Sequence, residues 1–383
     1  MAETKDYAFV PGGILWRLLD RAGFEQKSHR FKILLVVSLI MLCWLPLALL
    51  SFTQLGFNQF FLLFVRDVAT HVRFLLVFPI LFFSRQIINR SFSRTIHMFY
   101  DSKIIDETNR TEFENKIDWL IKYRNSVIVD ILLILLVYYT FYVRIKGISS
   151  LPDTSAPWVI YQGRISIAGW WYIIFSLPLL QLMLYRWLYS IVIWIIFLRK
   201  ISKIDLKLSS LHPDGMGGLG FLKYTQLSFF PVALAFSSLV AAGMSNLIIF
   251  SGASMRDFAV LIGSMLVFVL LLFILPLLVF MPLLASVKRK YFLEYSKDAW
   301  DFARVYEKEL KDYYETGKEK PDTSWHVDLV GSFEKTAGMR IMLIDKVILL
   351  SFLGAVILPF IPVVAQEIPL KDLIATLISK FLG

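Results

Sequence analysis

Residues 211–222, LHPDGMGGLGFL, form a polar, glycine-rich joint between two strongly apolar segments, and we interpret the chain as organised around this joint. A proline, an aspartate and a glycine at 213–215 are typical turn residues, because proline presets φ and glycine accepts the positive φ that other residues resist. Three further glycines follow within five residues, so the backbone can turn sharply or approach a neighbour closely. The stretch therefore predicts a tight connection between two helices.

The composition on either side of this joint is that of a membrane protein. Of the 383 residues 57% are hydrophobic and 18% are charged, against roughly 25% charged in an average soluble domain. The mean hydropathy is +0.63, and the apolar residues are concentrated in long blocks. We predict an all-α, polytopic integral membrane protein with six or seven transmembrane helices and a cytoplasmic helical domain.

Seven segments carry enough apolar residues to span a bilayer, which requires about 20. They lie near 32–55, 68–84, 126–143, 166–188, 226–251, 258–287 and 345–364, and the last is interrupted by two prolines.

The basic residues predict the orientation of these spans. Of the 40 Lys and Arg residues, 31 fall in segments 1–32, 84–125, 199–225 and 288–346, and only 8 fall in the alternate connections and the C-terminal segment. Because basic loops remain in the cytoplasm, we expect a cytoplasmic N-terminus and an external C-terminus. The net charge of +10 is explained in this way, and no nucleic-acid-binding module is visible.

We divide the chain into eight regions on this basis. They are a cytoplasmic N-terminal amphipathic segment (1–31, with an expected interfacial helix at 13–24), a transmembrane hairpin (32–84), cytoplasmic helices (85–125), a transmembrane hairpin with a long fourth helix (126–198), the cytoplasmic glycine-rich loop (199–225), a transmembrane hairpin (226–287), a cytoplasmic helical extension (288–344), and a last transmembrane segment with an amphipathic tail (345–383).

Four charged or titratable residues interrupt the start of the second span: Arg66, Asp67, His71 and Arg73. If residues 57–65 dip into the outer leaflet, these side chains lie at the outer mouth, and if 57–65 continue the first helix, they lie near the middle of the membrane. Ionisable groups are costly in lipid and indicate function by default. We therefore predict contact with an ion or substrate, with a self-satisfied structural cluster as the alternative.

The glycine-rich loop allows three interpretations. Its candidate residues are His212, Asp214, Gly215, Gly217, Gly218 and Gly220. Successive backbone N–H groups in such loops form anion-binding nests, and the loop is flanked by Lys203, Lys207 and Lys223. A phosphate-bearing ligand or a lipid headgroup is therefore one interpretation. The second is a tight structural elbow, in which glycine permits close helix packing and Asp214 caps the following segment. The third is a hinge between the cytoplasmic domain and the spans.

Two helices extend beyond the predicted membrane. The fourth span continues apolar to Leu198, and we interpret Arg186, among tyrosines and a tryptophan, as an interfacial anchor. From 288 to 316 aromatic and aliphatic residues recur at three- and four-residue steps, which predicts a helix packed on the pair from 84–125, with an oligomeric contact as the alternative.

Common catalytic and metal-binding motifs are absent from the sequence. The five histidines are widely separated, the single cysteine is Cys43, and no HExxH, GxSxG or phosphate-loop motif occurs. We predict no catalytic residues, no metal and no cofactor, and we favour a protein that is not an enzyme.

Residues 187–222, WLYSIVIWIIFLRKISKIDLKLSSLHPDGMGGLGFL, and residues 66–80, RDVATHVRFLLVFPI, carry a resemblance. They are similar to a group of bacterial multi-pass inner-membrane proteins, without an assigned activity, that carry an HPD-x-x-GGLGFL loop. The resemblance implies a bacterial inner membrane and a shared architecture, and it implies no site residues.

Three functions agree with these observations. The first is a homo-oligomeric channel or transport-like protein for an ion or small anion, coupled to its cytoplasmic domain through the 212–220 loop. The second is a membrane enzyme acting on a lipid phosphate, with His212 and Asp214 as an acid/base pair. The third is a sensor or scaffold that binds a cytoplasmic protein. The expected partners are the lipid bilayer, further copies of the chain, and an anionic ligand or lipid headgroup.

Overall fold

A computed structural model of the chain describes Phe9 and residues 28–147, 157–316 and 324–367. The expected helix at 13–24 and the expected amphipathic tail beyond 367 lie outside the described residues. Within them, seven helical segments are long and apolar enough to cross a membrane. These spans, numbered 1 to 7, are Arg30–Val65, Val68–Asp101, Glu107–Val143, Ile167–Ile201, Leu222–Ser251, Met255–Glu315 and Lys346–Gln366.

Each predicted span overlaps one of these segments, so the prediction of an all-α, polytopic protein is confirmed. The α-helices are α1 (His29–Gln59), α2 (Val68–His71), α3 (Phe78–Asp101), α4 (Glu107–Arg124), α5 (Val127–Gly147), α6 (Ile167–Trp171), α7 (Leu177–Ile201), α8 (Leu222–Leu227), α9 (Phe230–Ser251), α10 (Ala259–Val269), α11 (Met281–Thr316), α12 (Ser324–Gly338), α13 (Lys346–Ile357) and α14 (Ile361–Glu367).

Shorter elements interrupt or connect the helices. Wider π-helical turns occupy Phe60–Val65, Val72–Val77, Tyr172–Ser176 and Leu270–Ile274, and tighter 3-10 turns occupy Met255–Phe258, Leu275–Phe280 and Leu358–Phe360. One antiparallel hairpin, β1 (Ile160–Tyr161) and β2 (Arg164–Ile165), stands before α6.

The spans alternate in direction, which gives the bundle two sides. We call "elbow" residues 202–221 between α7 and α8, and "elbow side" the side of the bundle on which the elbow lies. The opposite side carries the β1–β2 hairpin and is called the hairpin side. Contacts at both ends agree with this arrangement, since Lys223 meets Asp345 near the elbow and Ser245 meets Gln366 towards the hairpin side.

Span 1 folds back on itself at Gly56. This glycine has φ 73° and ψ 170°, which breaks the helix. The rings of Phe52 and Phe60 are 5.4 Å apart, and those of Trp44 and Phe64 are 6.3 Å apart. A straight helix would separate residues 44 and 64 by about 30 Å. Residues 57–65 therefore form a re-entrant segment that runs back along α1.

Two pairs of helices pack together towards the elbow side. Helix α11 packs along α12, with the rings of Phe292 and Phe333 at 5.0 Å, whereas α4 packs on α7. The expected packing of the 288–316 stripe on residues 84–125 is therefore wrong for its principal contact. The reason is topological, because a short connection favours antiparallel packing of α11 with the next helix in sequence.

An aromatic cluster fills the bundle interior towards the elbow side. Phe9 is 1% exposed, and its ring contacts Phe92, Trp194 and Phe229 at 5.1, 5.4 and 6.0 Å. Its backbone N–H donates to Asn89 Oδ1 at 2.9 Å. A residue near the N-terminus therefore belongs to the core formed by α3, α7 and the α8–α9 connection.

Candidate functional site

Asp67 lies at the centre of a buried hydrogen-bond network between span 1 and span 2. Its carboxylate is fully buried and accepts from the backbone N–H and hydroxyl of Thr70, at 2.9 and 2.6 Å. The indole Nε1 of Trp158 and the amide Nδ2 of Asn246 also donate to it, each at 2.6 Å. Asp67 is therefore the N-cap of α2 and also joins three distant segments of the chain.

The network lies within the bundle rather than at its surface. Asn246 precedes the end of α9 at Ser251 by about 7.5 Å, given a rise of about 1.5 Å per residue. Residues 57–65 do dip back, but the cluster at 66–73 is also drawn inside the helix ends. The first alternative drawn from the sequence therefore holds for the path of the chain, since residues 57–65 turn back rather than continue the first helix.

The hydrogen bonds of the Asp67 carboxylate do not involve the side chains of the other three residues of the predicted cluster. His71 accepts from Trp44 Nε1 at Nδ1, 3.0 Å away, and its Nε2 lies 3.1 Å from the carbonyl oxygen of Val65. Arg73 donates from Nη1 to the Tyr172 hydroxyl at 2.6 Å. Arg66 is exposed.

The negative and the positive groups of this region differ in their hydrogen-bond partners. Asp67 is surrounded by donors, whereas Arg73 has a neutral phenol as its hydrogen-bond partner. Across residues 28–147, 157–316 and 324–367 no carboxylate forms a salt bridge with Arg73 or Arg66. The two guanidinium groups of this region are therefore not neutralised by a carboxylate of the described residues.

The helices around this region depart from α-geometry. Three of the four π-helical turns, at 60–65, 72–77 and 172–176, lie in the segments that carry or adjoin Arg66, Arg73 and Tyr172. Such turns release backbone groups from the regular hydrogen-bond ladder and recur at functional sites. The local geometry and the charge thus coincide.

The elbow is built around a second carboxylate. Asp214 accepts from the backbone N–H groups of Met216, Gly218 and Gly220, at 2.7, 3.2 and 2.8 Å. His212 Nδ1 lies 2.9 Å from Asp214 Oδ1. The amides that we considered as a nest for an external anion donate to the loop's own side chain, which favours the interpretation as a structural elbow.

These contacts also set the acidity of Asp214. Burial raises the pKa of its carboxyl, but the three backbone hydrogen bonds and His212 lower it by more, so that the pKa lies below its ordinary value. A carboxylate stabilised in this way is a weak proton acceptor. The geometry therefore disfavours Asp214 as a general base.

The glycines of the elbow are required for two different reasons. Gly215, Gly217 and Gly218 have φ of 62°, 69° and 99°. At Gly220 a Cβ atom would lie 2.8 Å from Asp214 Oδ2, so a side chain there would displace the carboxylate.

The elbow connects the spans to the elbow-side helices. Arg340, which follows α12, donates from its backbone N–H to the carbonyl of Gly215 at 2.8 Å and from Nη2 to the carbonyl of Asp214 at 3.2 Å. Ser210 and Thr336 share a buried hydroxyl hydrogen bond of 2.9 Å. These contacts tie the elbow to α12 and to the residues that follow it.

Two of the three flanking lysines have acidic partners. Lys207 lies 3.4 Å from Asp205 and 3.6 Å from Asp106, and Lys223 lies 3.1 Å from Asp345. A phosphate at the elbow would compete with these carboxylates and with Asp214.

Arg186 differs from its interpretation as an interfacial anchor. It is 3% exposed, and its Nη1 lies 3.0 Å from Asp130 Oδ1. Its Nη2 donates to the carbonyl of Arg124. The anchor interpretation is wrong because a carboxylate 56 positions earlier in the chain reaches the same place, and this buried ion pair ties α5 to α7.

Sequence reasoning missed Trp158, Asn246, Tyr172 and Trp44 as members of the network. A usable signal existed for Asn246, because a lone amide in an apolar span needs a partner in the bundle. Trp158 lies in a connection without a motif, and only the folded chain brings it to Asp67.

A metal site has no support in the part of the chain that is described, since no three His, Cys, Asp or Glu side chains converge there. No protein-family model, no curated protein and no solved structure matches this chain. The candidate site therefore stands on its geometry.

Proposed function

We propose that this protein is a membrane transport protein, channel-like or carrier-like, for a small anion, and that Arg73 and Arg66 provide the anion contact. The observation that carries the proposal is the contrast between Asp67, whose negative charge is consumed by four hydrogen bonds, and Arg73, whose described hydrogen-bond partner is the neutral Tyr172. A cation would meet no free carboxylate in this network, whereas an anion would meet a guanidinium.

Broken helices support a transport role. Transporters bind substrates inside the membrane where helices are discontinuous, because the freed backbone groups and helix termini then face the ligand. The break at Arg66–Asp67 and the short α2 reproduce this arrangement.

We further propose an orientation of the protein in the membrane and an environment for Arg66. The distribution of basic residues supports an external hairpin side, an elbow in the cytoplasm and, with the sequence resemblance, a bacterial inner membrane. Since a cationic side chain avoids hydrocarbon, we place the exposed Arg66 in a water-filled vestibule, shared between the copies of a homo-oligomer. The contacts of the elbow with Arg340 and Thr336 favour coupling between the anion path and the α11–α12 hairpin.

Arg73→Gln tests the anion contact. We expect it to reduce anion flux at least tenfold in proteoliposomes, measured with chloride, nitrate, iodide and inorganic phosphate as probes, because the site loses its charge. Arg256→Gln is the matched control, since Arg256 lies on the same side in an exposed turn, and it should transport like the wild type.

A second variant separates charge from structure. Tyr172→Phe removes the hydrogen bond from Arg73 but keeps the guanidinium, so we expect flux to be retained. Wild-type liposomes that pass none of the four anions, or a folded Arg73→Gln variant with unchanged flux, would overturn the proposal.

A further inference from the structure

A second site, next to the charged cluster but outside it, lies between spans 2, 5 and 7. These spans enclose a groove of about 260 Å³ without a charged residue in its lining. The floor is made of small buried side chains, among them Ala241 and Ala242, and the exposed rims include Leu76 and Leu358.

The groove opens on the outer surface of the bundle, between helices that cross the membrane. Its wall on span 2 extends from Val68 to Ile80, about 18 Å at a rise of about 1.5 Å per residue. One leaflet of a bilayer with a hydrocarbon core of about 30 Å is about 15 Å deep. The groove thus has the length and the direction of one extended acyl chain.

One end of the groove has a polar lining. Ser245 and Gln366 line the end towards the hairpin side, and their side chains are hydrogen-bonded to each other at 2.8 Å. Along the remaining length the lining is almost entirely apolar, and the volume exceeds the roughly 150 Å³ of an apolar cavity that accommodates benzene. An amphiphile with a hydrocarbon tail in the groove and a polar group at Ser245 and Gln366 fits this order.

We infer that the groove is a binding site for one acyl chain of a phospholipid from the hairpin-side leaflet. Packing, rather than transfer from water, selects the chain here, since lipid tails outside are equally apolar. The 3-10 turn of span 7 at Leu358–Phe360 and two alanines of span 5 contribute to the lining of this groove. The same groove is walled by α2, so its occupant contacts the helix that Asp67 caps.

Native mass spectrometry of the full chain, released from mild detergent, tests this site. We expect the wild type to retain one phospholipid per chain and Ala242→Phe to lose it, because the ring occupies the floor of the groove. Val260→Phe, at a position that is 84% exposed on α10, is the control and should keep the lipid.

A second variant covers a failure of Ala242→Phe to fold. Pro362→Phe alters an exposed rim position of the groove, and it should also lose the lipid while its thermal unfolding remains cooperative. Added phosphatidylglycerol should raise the Tm of the delipidated wild type and not that of either groove variant. Equal lipid retention in folded groove variants and wild type would overturn the inference. So would a change of oligomeric state with no change of bound lipid, which would identify a second copy of the chain as the occupant.

Discussion

The two carboxylates Asp67 and Asp214 each accept several hydrogen bonds, yet they draw their donors from different distances along the chain. Asp214 is held by backbone N–H groups at most six residues away. Asp67 is held by Thr70 and by Trp158 and Asn246, which follow it by 91 and 179 positions. The first is a local device that fixes a turn, and the second is a tertiary device that holds three segments together.

The largest expected effect is that of Asp67→Ala. The substitution leaves the buried donors of Thr70, Trp158 and Asn246 without an acceptor, and each such donor costs about 1–3 kcal/mol. We expect a loss of about 3–5 kcal/mol in the free energy of unfolding, measured by denaturant titration in detergent micelles. Asp67→Asn keeps one acceptor oxygen and should lose less. An Asp67→Ala variant as stable as the wild type would show that Asp67 does not hold these segments together.

Asp214→Ala should have a smaller and more local effect. The elbow loses the acceptor for three amides, but the side chain of Asp214 is 22% exposed and water can take its place, so we expect a loss of about 2 kcal/mol. Hydrogen exchange should show the loss of protection confined to the amides of Met216, Gly218 and Gly220 and their neighbours. Loss of protection across all spans would contradict a local role.

Gly220→Ala tests whether the position of the Asp214 carboxylate is constrained, without removing a charge. Its Cβ would lie 2.8 Å from Asp214 Oδ2, whereas Gly263 in α10 has no atom within 4 Å of its Cβ position. We expect Gly220→Ala to destabilise by about 1–2 kcal/mol and Gly263→Ala to be neutral or stabilising, since alanine favours helices. The comparison of their Tm values checks this, and equal values would show that the carboxylate position is not constrained.

The smallest expected effect is a dependence on pH. Because the pKa of Asp214 is lower in the folded protein than in the unfolded chain, its contribution to stability is complete above the unfolded value, about 3.9, and is lost as the pH falls through the lower folded value. Asp345 shifts in the same direction, because its hydrogen bonds to Ile348 and Lys223 outweigh the effect of burial. The Tm difference between wild type and Asp214→Asn should therefore shrink as the pH falls below about 4. A difference that grows as the pH falls from about 4 to about 3 would contradict this assignment.

The predictability of the two regions follows from the same contrast. The turn at Pro213–Gly215 and the need for glycine after it are encoded within one short stretch. A tight connection between two helices could therefore be predicted there from the sequence. The interpretation of Asp214 as a cap within a structural elbow agrees with the three amides that it accepts, all of which lie at most six residues away. For the cluster at 66–73 the residue types indicated ionisable groups in a span. They did not indicate which of these groups would be surrounded by hydrogen-bond partners within the protein.

The sequence by itself determined the seven spans, because the backbone of a spanning segment must satisfy its own hydrogen bonds in lipid and long apolar blocks can do so only as helices. It also determined the turn chemistry of the elbow, where every donor lies within a few residues. Only the tertiary structure decided the fold-back at Gly56, the pairing of Arg186 with Asp130, and the capture of Asp67 by Trp158 and Asn246. These contacts join residues from 20 to 179 positions apart, and which of many such pairs forms depends on how the helices pack rather than on any local pattern.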